Sequence, residues 1–145
     1  MWPKMQQNVI TFVLLALHAI GSRADVGTAT FYRPPYQPTE CYGGDPSQFP
    51  NSNLFACAND GVWDNGAACG RQYFVRCISS TQHKICIPNQ QIQIKIVDNC
   101  GPGNQGHRGP YGETIVLSTT AMAAITHMDK LDPRKPTINI EFTQV

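Results

Sequence analysis

No stretch of this sequence holds the roughly twenty consecutive apolar residues that carry a helix across a bilayer. The longest apolar run, Val9 to Ile20, is shorter and is broken by Thr11 and His18, so membrane insertion is not expected. Charge is scarce too: Asp, Glu, Lys and Arg make up 14% of the chain, with 11 basic residues against 10 acidic. That near-balance leaves no electrostatic footprint for nucleic acid, and no nucleic-acid partner is expected. The sequence has no Asn-x-Ser/Thr triplet for N-glycosylation. It also lacks any Cys-x-x-Cys pair, and zinc sites want close-set ligands. His83 with Cys86 is a lone near-pair, so neither a metal nor a cofactor is expected. Internal repeats and low-complexity segments are missing as well.

The N-terminus, by contrast, is distinctive. Met1 to Ala24 reads as a secretory signal peptide, with Lys4 as its basic start, an apolar centre, and Gly21-Ser22-Arg23-Ala24 suited to cleavage before Asp25. One domain then spans 25–145. Without Lys4 and Arg23, nine basic residues face ten acidic ones, so the exported part is near neutral. All six cysteines (Cys41, Cys57, Cys69, Cys77, Cys86 and Cys100) follow the leader. An even count in a small exported domain reads as disulfides, each contributing about 2–4 kcal/mol. Pairing Cys77 with Cys86 would join the end of one strand to the start of the next across a short loop. A soluble, secreted monomer is the expectation.

Twelve glycines and eleven prolines indicate a loop-rich β protein. Gly27 to Tyr32 reads as a strand ended by Arg33-Pro34-Pro35. Pro34 to Asn65 reads as loop, with turn signals at Gly43-Gly44, Asp45-Pro46, Pro50-Asn51 and Asp60-Gly61. Gln72 to Cys77 is a strand. Gln91 to Asp98 alternates, with Ile92, Ile94 and Ile96 on one face, as a half-buried strand does. Pro102 to Gly112 reads as an exposed loop. Ile115-Val116-Leu117 is a short strand leading to Ser118, a good N-cap for a helix over Thr119 to His127. Thr137 to Phe142 closes the chain as a strand. About six short strands and one helix point to a small closed barrel, since closure removes exposed edges.

The string from Pro34 to Cys77, which contains PPYQPTECYGG and DGVWDNGAACGRQYFVRC, is followed by IVDNC, the LS-plus-helix junction and the closing INIEF. Together these resemble the plant natriuretic peptides and blight-associated secreted proteins, single-domain relatives of expansins and family-45 endoglucanases; barwin is a more distant member. The resemblance covers Asp25 to Val145. It implies a mainly β fold, a six-stranded double-psi β-barrel with one short helix and three disulfides. It also implies the pairs Cys41–Cys69, Cys57–Cys100 and Cys77–Cys86. For function it implies an apoplastic, hormone-like, non-enzymatic protein acting in water and solute homeostasis, with a stress or defence association.

In the hydrolytic and wall-loosening relatives an aspartate precedes the LS junction; here that position is Val116, which neither gives nor takes a proton. The endoglucanases also carry an acid just after the first strand, where this chain reads Phe31-Tyr32-Arg33-Pro34. Glycoside hydrolysis ordinarily needs two carboxylates, so no catalytic residue is expected. Glu113 and His107 are the only stand-ins, and a flexible Gly/Pro loop rarely places a group within about 3 Å of a reacting atom.

Asp98 has two readings: a groove-floor carboxylate that bonds a sugar, or an anchor for the Gly101-Pro102 turn. Tyr32 and Tyr111, expected to be exposed, would join it in a sugar-binding groove. A receptor contact would use Tyr36, Tyr42, Trp63 and Arg71, although Trp63 and Tyr42 equally suit packing on the barrel's flank. Arg71, Arg76 and Arg108 read most simply as a solvated face. The partners in view are thus a cell-surface receptor or a cell-wall polysaccharide. The rival classes are a polysaccharide-binding or wall-loosening module, and a weak hydrolase or barwin-like defence protein. The wall-loosening class is weakened because the sheet-like second domain of expansins has no counterpart after the last strand.

Overall fold

The computed structural model describes residues 23–101 and 109–145. All but the last two residues of the expected leader lie outside these, as do His107, Arg108 and most of the Pro102–Gly112 loop. Six strands form the fold: β1 (Asp25–Tyr32), β2 (Phe55–Ala58), β3 (Gln72–Ser79), β4 (Gln91–Asn99), β5 (Ile115–Ser118) and β6 (Ile138–Gln144). They close into a barrel in the order β1-β5-β2-β4-β3-β6. Two pairs, β1/β5 and β2/β4, run parallel; the other four neighbours are antiparallel. This is the expected six-stranded double-psi barrel.

The interior follows the alternation of the strands. Ile92, Ile94 and Ile96 of β4 meet Tyr73 and Val75 of β3, Ile115 and Leu117 of β5, and Ile138 and Ile140 of β6. Small side chains on β1 and β2 (Ala29, Ala56 and Ala58) leave room for these branched ones, as the filling of a small barrel requires. Two short helices complete the fold, the one-turn α1 (Asp60–Trp63) and α2 (Thr119–Ile125), which packs against β1, β4 and β5. Ser118 caps α2 as its residue type predicts: Oγ accepts from the Ala121 amide at 3.1 Å and donates to the Asn53 carbonyl at 2.6 Å.

Two expectations need correction. The stretch from Pro34 to Asn65 is not all loop, because Phe55–Ala58 is a fully buried strand and Asp60–Trp63 a helical turn. A four-residue apolar run buried on both faces shows no alternation to read. Among the described residues there are two short α-helices, Asp60–Trp63 and Thr119–Ile125, where one was expected. All three disulfides join the expected partners, Cys41–Cys69, Cys57–Cys100 and Cys77–Cys86.

Candidate functional site

A second apolar cluster lies on the outer side of the sheet, separate from the barrel interior. It holds Tyr32, Phe55, Cys57, Val97, Cys100 and Val116. Pairing across the sheet sets four residues side by side: Thr30 of β1 beside Val116 of β5, Val116 beside Cys57 of β2, and Cys57 beside Asp98 of β4. Strict alternation would send Asp98 inward with Ile92, Ile94 and Ile96. A register shift between Ala56 and Cys57 breaks that alternation, so that Cys57 stands opposite Asp98 rather than Val97. A bulge of this kind re-aims a side chain.

The segment between β1 and β2 roofs this floor. Tyr36, Tyr42 and Phe49 pack onto the cluster. Tyr36 meets Phe55 edge-on at 4.7 Å between ring centroids, and Phe49 stacks on Phe55 at 4.8 Å. The roof is fastened by Cys41–Cys69, by the Lys95 ammonium donating to the Gln48 carbonyl at 2.8 Å, and by Asp98. The last of these is fully buried, and its Oδ1 accepts from the backbone amides of Glu40 and Asn99, each at 2.8 Å. Asp98 therefore holds the roof and is no open groove-floor group. The neighbouring Asn99 Oδ1 accepts from the Gly101 amide at 2.7 Å.

Tyr32 is buried at 4% exposure, against the expectation of an exposed stacking ring. Its ring meets Tyr36 edge-on at 4.9 Å. Burial first, then the Asp98 charge and Tyr36, push its phenol far above the ordinary range. Tyr111 is 65% exposed, but it stands before the start of β5 whereas Tyr32 pairs with Ser118 at that strand's end. Tyr32, Asp98 and Tyr111 thus do not line one groove. Glu113, expected on a flexible loop, is 1% exposed. Its carboxylate accepts from the Thr137 hydroxyl at 2.5 Å and the Tyr111 amide at 3.3 Å, and its carbonyl accepts from the Asn59 side-chain amide.

The proposed partner residues are all partly engaged. Tyr36 Oη donates to the Tyr32 carbonyl at 3.3 Å and accepts from the Thr119 amide at 3.2 Å. Lys95 lies over the Tyr42 ring at 5.2 Å. Trp63 packs against the barrel core, as the packing reading held. Arg71 pairs with Asp64 at 2.7 Å.

A cleft of about 390 Å³ opens at the end of the roof, lined by Arg33, Pro34, Tyr36, Asn53, Phe55 and the Ser118-Thr119-Thr120 run. None of these carries a carboxylate. The cleft offers a guanidinium, hydroxyls and an amide, which can bind but cannot pass a proton at neutral pH. Sequence reasoning named Tyr36 here but gave Arg33, Thr119 and Thr120 no binding role and read Ser118 only as a helix cap. Among the described residues no group of three or more His, Cys, Asp or Glu gathers as a metal site would.

Similarity to known proteins agrees with this architecture. The family model described as lytic transglycolase matches residues 55–142. An EG45-like domain containing protein from Citrus jambhiri is 34% identical over 139 residues, covering 94% of this chain and 93% of its own. EG45-like domain containing protein 2 from Arabidopsis thaliana is 32% identical over 123 residues, covering 83% and 85%. Among solved structures, the apo expansin of Clavibacter michiganensis superposes with a TM-score of 0.56 at 18% identity, covering 85% of this chain. This chain spans half of that expansin's length. A mutant of the same expansin, solved in complex with cellohexaose, superposes equally well. By family model, by relatives along nearly its whole length and by its barrel, this chain belongs to the expansin-like, EG45-like domain family.

Proposed function

We propose that this protein is a non-hydrolytic member of its family, exported to the plant cell-wall space, where it acts by binding. The observation that carries the reading is Val116. It is 1% exposed, sits among Tyr32, Phe55 and the Cys57–Cys100 bridge, and by the resemblance of its LS junction stands for the aspartate of hydrolytic relatives. The nearby carboxylates, Asp98 and Glu113, are buried and hold backbone amides. Glycoside cleavage asks for two carboxylates facing one another across an accessible bond, and the open cleft presents neither. Export is supported by the apolar leader and by three disulfides, which persist in oxidising compartments. The test is to incubate disulfide-intact protein with cellulose, xyloglucan and mixed-linkage glucan and measure new reducing ends. None above the blank is expected, and sustained release would sink the reading.

The hormone-like, natriuretic-type role is a second reading, favoured by one feature. The Pro34–Cys77 stretch carries its own staple, Cys41–Cys69, and its part between β1 and β2 forms the outer layer over the floor. It presents the partly exposed Tyr36, Tyr42, Trp63 and Arg71 to a receptor. A volume change in isolated plant protoplasts on adding the folded protein, lost when Arg71 and Trp63 are replaced, is the outcome this role requires.

A further inference from the structure

We propose that the barrel end built by the Cys77–Cys86 loop and the 127–135 segment binds acidic, uronate-bearing polysaccharide. This rests on the wall-space reading above for where such a ligand is met, but not on the absence of hydrolysis.

The loop runs Ser79-Ser80-Thr81-Gln82-His83-Lys84 between the two bridged cysteines and encloses a cleft of about 340 Å³. It is fixed to the segment that follows α2. Gln82 Nε2 donates to the Lys135 carbonyl at 2.7 Å, and Gln82 Oε1 accepts from the Asp132 amide at 2.6 Å. The His127 amide donates to the Ile85 carbonyl at 2.8 Å. Lys84, Lys130 and Lys135 are thereby gathered from separate parts of the sequence to one end of the barrel.

Charge is divided unevenly as a result. This end holds four basic residues (Lys84, Lys130, Arg134 and Lys135) against two acidic ones, Asp129 and Asp132. The remaining described residues hold five basic against eight acidic. Asp132 pairs with Arg134 at 3.3 Å, and Lys84, Lys130 and Lys135 are all exposed, with Asp129 the one other acid at this end. A near-neutral chain thus carries a basic pole, which concentrates a polyanion at one end and repels it elsewhere.

The donor types favour spaced carboxylates over phosphate. Phosphate sites draw on arginine forks and backbone nests, whereas lysines are point charges on long stems. The cleft wall adds hydroxyls suited to a sugar. Ser79 Oγ accepts from Asn139 at 2.9 Å and Ser80 Oγ from the Gln82 amide at 3.1 Å, and each hydroxyl keeps its own proton to donate. Lys84 itself has φ of 57°, a left-handed conformation in which glycine is cheaper. Replacing it with glycine relieves the backbone while removing the charge.

The experiment measures binding of disulfide-intact protein to polygalacturonate, to its fully methyl-esterified form, to cellohexaose and to anionic phospholipid vesicles. Selective binding to polygalacturonate is expected, weakening as salt is raised toward 0.15 M, where screening sets in within about 8 Å. Lys84→Gly is expected to weaken binding about two- to fivefold, as the loss of one exposed ion pair would, with the melting temperature unchanged or higher. Lys84→Gly with Lys130→Gln and Lys135→Gln is expected to lose at least about tenfold by the same arithmetic. Equal binding to the esterified polymer, tighter binding to the vesicles, or full binding by the triple variant overturns the proposal. The glucan hydrolysis assay reads the non-hydrolytic claim separately, so either can fail alone.

Discussion

Val116 and Asp98 flank Cys57 on adjacent strands, and the two side chains decide most of what this floor can do. That Val116 carries no proton is legible from a single letter. The role of Asp98 is not, because one carboxylate suits either a ligand or a backbone amide, and only the roof reveals the amide of Glu40, 58 residues away. Asp98→Asn should therefore cost stability, about 1–3 kcal/mol for a disrupted buried acceptor, seen as a lower urea midpoint. A groove carboxylate would behave oppositely, with binding lost and the midpoint kept. Tyr32 gives a second test. Its phenol is raised in the folded state, so folding favours the neutral form. Its stabilising contribution is intact below the ordinary tyrosine value of 10.0 and is lost as pH climbs past it, because the unfolded chain ionises first. Phenolate absorbance should show Tyr32 ionising only with unfolding, and Tyr32→Phe should flatten the loss of stability in alkali.

At the level of elements, β3, β4, β6 and the capped helix announce themselves through period and cap, since each has one face on the core and one outside. The strand Phe55–Ala58 does not, because both its faces are buried and its pattern is uniform. The register shift opposite it is equally silent in sequence, although it is what turns Asp98 toward the roof. The roof has little regular structure, being studded with Pro34, Pro35, Pro38, Pro46 and Pro50, and depends on its staple. Replacing Cys41 and Cys69 together by serine opens a loop closed over 28 residues and should cost about 2–4 kcal/mol. Limited proteolysis should then cut first within 34–54 while the barrel persists. Simultaneous loss of the whole fold would show that the roof is integral to the barrel.

For the whole molecule, the three bridges differ in access. Cys57 and Cys100 are fully buried, whereas Cys41, Cys69 and Cys86 are partly exposed. Thiol attack needs access to sulfur. Graded reduction followed by mass spectrometry should therefore open Cys41–Cys69 and Cys77–Cys86 before Cys57–Cys100; the reverse order would contradict the packing of the floor. The basic pole is likewise a property of the assembled barrel, because Lys84 and Lys135 lie far apart in a chain whose total charge is near zero. By itself the sequence determined an apolar N-terminal run, a cysteine-stapled β domain, most of its strands and a side chain at 116 that carries no proton. Each of these is written in residue type or local period. Only the tertiary structure decided that Tyr32 is inside, that Asp98 holds the roof, that Glu113 is locked and that the lysines converge. Those outcomes depend on contacts between distant segments, on a parallel strand order and on one shifted register, none of which has a local signature.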